Sequence, residues 1–149
     1  MNAHGTALRV RRLEDVEAIK TLTARYANAI NRTPDHVQVD IGAVRAILTS
    51  DARWSSADFG VVAGADAIID ALPAATAGVP LAMHAFVNPT ITVDADTGTG
   101  RWALWIASIF DGRPGTVHMA AEMTYARTEA GWRIRTIHIG RGFRICGVP

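Results

Sequence analysis

Residues 81–88 read LAMHAFVN, a histidine set in an otherwise apolar run. An imidazole has an ordinary pKa near 6.5, so at neutral pH it can accept or donate a proton. In apolar surroundings, His84 is either satisfied by a backbone group or is the centre of a small-molecule pocket. His118 and His138 lie in two further strand-like segments. The five histidines are scattered, no His-x-x-x-His pair occurs, and Cys146 is the one cysteine. No metal-ligand spacing is therefore present. The glycines of GRGFRICG lack the context that a phosphate-binding loop needs. Proton transfer in an apolar pocket is the chemistry these residue types leave open.

The elements that must position His84 are read from periodicity. Val16, Ile19, Thr23, Tyr26 and Ile30 recur at three and four residues, one stripe of a helix that starts at Leu13. Glu14, Asp15 and Glu17 fall in its first turn, where the helix dipole favours acids. Residues 1–12 show no such period and are expected to form a loose arm. The helix should end near NRTPD, at Pro34. DIGAVRAILTSD (40–51) reads as a second helix with Asp40 as its N-cap. ARWSSAD reads as a short strand. FGVVAGADAIIDALPAAT reads as a strand remnant, a glycine turn and a third helix limited by Pro73.

The second half changes character. LAMHAFVNPTITVDAD, TGRWALWIASIFDG, GTVHMAAEMTYARTEAG and WRIRTIHIGRGF are strand-like, with turn signals in DADTGTG and RTEAG. Helices followed by antiparallel strands predict an α+β domain, a curved antiparallel sheet packed on the N-terminal helices as a cone closed at one end. The domain is expected over residues 13–145, with a tail at 146–149.

Strand alternation assigns faces. His84, Phe86 and Asn88 oppose Met83, Ala85 and Val87; both sets are apolar around His84, so parity does not choose. Trp132, Ile134, Thr136 and His138 oppose Arg133 and Arg135, which puts His138 on the buried side. Met119, Ala121, Met123 and Tyr125 form the buried set of their strand and leave His118 and Glu122 toward solvent or a subunit interface. Trp54, Phe59, Phe86, Trp102 and Trp105 are core aromatics by type. Trp54, Phe59, Phe86 and Trp105, with His138, are the candidates for the wall of a ligand cavity.

Composition bounds the function classes. The chain has 149 residues, of which 49% are hydrophobic and 19% charged, enough for a core without covalent staples. A net charge of +1 gives no field that would hold nucleic acid or an anionic membrane. No run approaches the roughly 20 apolar residues of a membrane helix. With one cysteine and no leader-like stretch behind the early arginines, the expected setting is a reducing cytoplasm.

Taken in order, RYANAIN, LTSDARW, GADAI, MHAFVNPTITVDADTGTGRWALWI and YARTEAGWRI resemble the SnoaL-like branch of the nuclear-transport-factor-2-like superfamily, over nearly the whole chain. The His-x-x-x-Asn-Pro strand and the final GWRI strand carry most of that resemblance. It implies the cone fold and association through the sheet face into a homo-oligomer, a dimer or trimer. It also points to elimination chemistry. Scytalone dehydratase, bile-acid dehydratase and hexachlorocyclohexane dehydrochlorinase remove water or HCl from a ring with no metal or organic cofactor.

The family pattern implies a tyrosine on the first helix, an aspartate five residues later and a histidine on the first long strand. Tyr26 and His84 match; the aspartate position is Asn31, with the spacing kept and the charge gone. The expectation is a cofactor-independent lyase acting on a small hydrophobic cyclic molecule. His84 would be the base, Tyr26 a donor that polarises the substrate, and Asn31 the group that orients the imidazole. Three readings follow from the missing charge. Asp58 or Asp35 supplies an acid instead, or the reaction is an easier isomerisation or cyclisation, or the protein only binds its ligand.

Overall fold

A computed structural model describes residues 3–147. Helix α1 (Ala3–Ile30) is one continuous element of 28 residues. The expected loose arm is thus corrected from residue 3 onward, residues 1 and 2 lying outside the described range. Residues 3–12 are almost all exposed. They contain no proline and several good helix formers, so propensity extends the helix without a buried stripe to mark it. Of the expected stripe, Ile19, Thr23, Tyr26 and Ile30 are buried and Val16 is half-buried, while Leu22 joins them inward.

Helix α2 (Ile41–Ile47) starts where Asp40 accepts the Ala43 N–H at 2.9 Å. It is shorter than expected. Leu48 turns extended and opens strand β1 (Leu48–Ser56), so LTSD is strand rather than helix. Strand β2 (Gly60–Ala63) and helix α3 (Ala65–Thr76) follow, with Pro73 inside the last turns of α3. The four long strands are β3 (Ala82–Asp94), β4 (Thr97–Phe110), β5 (Arg113–Thr128) and β6 (Gly131–Ile139). A seventh, β7 (Phe143–Cys146), pairs with the first half of β5 and absorbs the start of the expected tail; residues 148–149 lie outside the described range.

The sheet runs β2-β1-β6-β5-β4-β3 and does not close. Its pairings are antiparallel except β1 with β6, which is parallel, so the sheet is mixed. Three register shifts bend it. One lies at Asn88 and Pro89, where Asn88 takes φ 52° and the Asn-Pro pair drops out of the β3–β4 ladder. Another skips Arg135 on β6. The inner face, including Trp102, Leu104, Met123, Tyr125 and Ile134, packs on α1 and α2 in the cone arrangement.

Two polar devices tie α1 to that face. Asp15 is buried and accepts from Trp132 Nε1 at 3.0 Å and from Arg127 at 2.7 Å. Arg127 stacks over the Trp132 ring at 4.5 Å and also holds Asp96 in the β3–β4 turn. Deeper in, the Tyr125 hydroxyl accepts from Trp102 Nε1 at 3.1 Å and meets Thr23 Oγ1 at 2.7 Å. Gly100 makes room for this pair, since a Cβ there would lie 2.7 Å from Trp102 Nε1.

Candidate active site

The site begins where α1 ends. Asn31 N–H makes the last helical bond, to Ala27 O at 3.0 Å. Arg32 then leaves the helix and pairs backbone to backbone with Ala82, N–H to O in both directions at 2.9 and 3.0 Å. β3 is an edge strand. The Arg32–Ala82 bridge covers one pair of its free edge groups and sets Asn31 beside His84. Asn31 Oδ1 accepts the His84 backbone N–H at 2.7 Å and meets the imidazole Nδ1 at 3.0 Å.

This geometry decides the tautomer. The backbone N–H can only donate, so it must face the amide oxygen of Asn31 rather than its NH2. That same oxygen faces Nδ1, so Nδ1 must carry the hydrogen, and Nε2 is left with its lone pair. Burial, and secondly the positive charge of Arg32, push the His84 pKa down to about 4. At neutral pH the side chain is a neutral imidazole with a free Nε2, oriented but weakly basic.

His84 opens on a cleft of about 200 Å³ between α1 and β3. Ala27, Phe86 and Trp102 form its apolar body, and Lys20, Ala24 and Asn28 line its exposed α1 side. It is an open cleft rather than the deep cavity the cone suggests. Phe86 is the one expected wall residue in it. Phe86 packs against Trp102 at 6.2 Å and against Tyr26 at 6.0 Å between ring centroids.

Tyr26 is not brought to this cleft. It is buried in the core, 5% exposed. Burial pushes its pKa up to about 12. Trp54 shares the inner face with Tyr26 but stands on β1, at the far side of the sheet.

Three expected wall residues are corrected. Phe59 sits at the β1–β2 turn and is 83% exposed. Trp105 pairs with Ala85, whose side chain points opposite to His84, so it lies on the outer face, 47% exposed. His138 is exposed on the outer face and bonded to Ser55 Oγ at 2.8 Å. The register shift at Arg135 reverses parity along β6, so Trp132 and Ile134 point inward and Ile137, not His138, continues them. His118 lies on the outer face as expected, between Trp105 and Phe143. Asp35 and Asp58 are exposed in turns, and neither is a described hydrogen-bond partner of His84.

The residues missed from sequence are those on the cleft's helix side. Lys20, Ala24, Ala27 and Asn28 recur at three and four residues, one row beside the buried stripe that leads to the expected Asn31. That row is half polar, and it reads as a solvated helix edge. Among the described residues, no three His, Cys, Asp or Glu side chains gather as metal ligands would.

A family model described as a SnoaL-like domain matches residues 11–138. The chain belongs to this family. An NTF2-like protein with a cystatin-like fold from Novosphingobium aromaticivorans superposes with a TM-score of 0.78 at 27% identity, covering 93% of this chain and 89% of the other. Hexachlorocyclohexane dehydrochlorinase LinA-type3 from Novosphingobium barchaimii LL02 superposes at 0.78 with 16% identity, over 94% and 96% of the two chains. A candidate scytalone dehydratase from Novosphingobium aromaticivorans gives 0.74 at 15% identity, over 92% and 90%. At such identities the last two share the SnoaL-like chain's fold and no more. A search of curated proteins finds no match. No described helix is long and apolar enough to cross a membrane.

Proposed function

We propose that this SnoaL-like protein is a cofactor-independent lyase that eliminates a small leaving group from a hydrophobic cyclic molecule. The observation that carries this reading is the His84–Asn31 contact. The amide oxygen fixes Nδ1–H and leaves the Nε2 lone pair toward a cleft of mixed lining, Phe86, Trp102 and Ala27 beside Lys20, Thr23 and Asn28. Nε2 takes the proton beside an activating carbonyl, and the released electron pair forms the new double bond as the bond to the β leaving group breaks. The imidazolium gives that proton to the departing group, which leaves as water or HCl; Asn31 holds the ring in the one competent tautomer. Family membership and the fold shared with a dehydrochlorinase support the reading. Tyr26 serves by packing Phe86 rather than by polarising the substrate.

A base whose pKa is depressed to about 4 removes only acidic protons readily. That favours an activated substrate and keeps isomerisation or cyclisation in the same cleft as a second reading. The test is proton exchange in D2O on a panel of cyclic β-hydroxy ketones, followed by NMR and mass. Wild type should catalyse α-proton exchange and loss of water, and folded His84→Ala should do neither. Exchange without loss of mass selects the isomerase. Turnover that survives in folded His84→Ala removes His84 as the base.

We further propose a homo-oligomer built on the outer sheet face. Met83, Trp105, Phe143 and Ile145 are 47–63% exposed there, on strands that lie side by side.

A further inference from the structure

Elimination beside a carbonyl needs a second group besides the base. As the proton leaves, negative charge builds on the carbonyl oxygen, and a hydrogen-bond donor there lowers the barrier. Tyr26 does not line the cleft. The polar side chains that do are Lys20, Thr23, Asn28 and His84. Thr23 Oγ1 is engaged inside the protein, donating to Ile19 O at 3.0 Å and meeting the Tyr125 hydroxyl at 2.7 Å. Lys20 holds Glu17 at 2.6 Å on the surface. Among the described residues the Asn28 side chain has no hydrogen-bond partner. Two groups of the cleft therefore keep free hydrogen-bonding capacity, the Asn28 amide and Nε2 of His84.

The two stand close together. Asn28 and Asn31 lie three residues apart at the end of α1, neighbours on one helix face with Cβ atoms about 5–6 Å apart. Asn31 Oδ1 in turn meets His84 Nδ1 at 3.0 Å. Asn28 is thus one helical turn from the residue that orients the base. Lys20 is about three turns from Asn31, roughly 16 Å along the axis at about 1.5 Å per residue. A carbonyl and the carbon that loses its proton are bonded neighbours, so donor and base must reach adjoining atoms. Asn28 meets that condition and Lys20 does not.

We propose that Asn28 binds the carbonyl oxygen of the substrate, donating Nδ2–H to it while His84 Nε2 takes the proton from the adjacent carbon. The electron pair of the broken C–H bond moves toward the carbonyl oxygen, where the amide hydrogen bond tightens. It returns as the carbon–carbon double bond forms and the β leaving group departs with the proton of the imidazolium. Asn28 itself transfers no proton. With the carbonyl on the α1 side, the rest of the ring lies toward Phe86 and Trp102. The assignment rests on the reading of this cleft as the site of elimination, and it fills the polarising role that Tyr26 does not.

The probe is 3-hydroxycyclohexanone, followed in D2O by NMR with wild type, Asn28→Leu and Asn28→Gln. Asn28 is exposed, and leucine and glutamine are good helix formers, so both variants keep the fold. Loss of a fixed oxyanion-hole donor costs roughly 10²–10³ in rate. The exposed Asn28 amide is held less firmly, so kcat for exchange and water loss should fall about tenfold to hundredfold in Asn28→Leu, with KM changed less. Asn28→Gln keeps the NH2 group and should recover part of the rate. The His84 titration should not move in either variant, which separates a lost carbonyl contact from a disturbed base. A second readout needs no turnover. The nitrogen-15 signal of the Asn28 side-chain amide, identified by its absence in Asn28→Leu, should shift with cyclohexanone and stay still with cyclohexane.

His84-dependent exchange that continues at the wild-type rate in Asn28→Leu overturns the proposal and leaves the lyase reading standing. An amide signal that cyclohexanone moves no more than cyclohexane overturns it as well. Wild type that exchanges nothing removes the lyase reading instead, and a ketone-specific shift of the amide then still supports Asn28 as the carbonyl-binding group.

Discussion

Asn31 holds two donors with one oxygen, and that single atom connects backbone structure to side-chain chemistry. A neutral acceptor orients an imidazole but gives no full charge to stabilise its protonated form. Replacing it with a carboxylate supplies that charge at hydrogen-bond distance. In Asn31→Asp the His84 pKa should therefore rise from about 4 to its ordinary range or above, read from the imidazole proton shifts against pH. An unmoved titration would separate the two side chains. His84 also sets a pH dependence of stability. Between its folded pKa of about 4 and its ordinary 6.5, the unfolded chain binds more protons than the folded one. Stability due to this residue is therefore intact above pH 6.5 and falls as the pH drops toward 4. That slope should be smaller in His84→Gln, measured by urea unfolding across the range.

At the scale of elements, the staple between α1 and the ends of β5 and β6 is the most exacting contact. Asp15→Ala leaves Trp132 Nε1 without its acceptor and Arg127 without its inner partner. A loss of about 1–3 kcal/mol in urea unfolding is expected, without change in the tautomer of His84. The Asp15 carboxyl is held below its usual range by the Arg127 hydrogen bond. Its contribution is present above the ordinary carboxylate pKa and is lost as pH falls through the lowered one. The four long strands and the buried stripe of α1 were legible because each keeps one period over many residues. Three features were not, for local reasons. The register shift at Arg135 reverses the alternation that placed His138 inward. LTSD continues an apolar helical pattern that pairing of Leu48 with Ile134 turns into strand. β7 is four exposed residues with no burial pattern to read. In the site, the His84–Asn31 pair was legible through the family spacing. Lys20 was hidden, because a lysine on a half-polar helix row looks like any solvated side chain.

At the scale of the molecule, one face of the open sheet is covered by helices and the other is bare. His118 bridges Trp105 and Phe143 there, its ring 12° from parallel with Phe143 at 5.2 Å. A cluster of this kind on the outer face is a surface a second copy would cover. If the proposed homo-oligomer forms through this face, Trp105→Asp sediments as a monomer at micromolar concentration where wild type sediments as the oligomer, with helical content unchanged. A wild-type protein that sediments as a monomer discards the interface. The open sheet also has free edges, and at the start of β3 the chain leaving α1 closes one, with Asn31 as part of the closure. Aspartate offers the same oxygen at the same reach, and the codons of the two residues differ in a single base. A lineage can therefore cross between a neutral and a charged site in one mutational step, with no poorly folded intermediate to pass through.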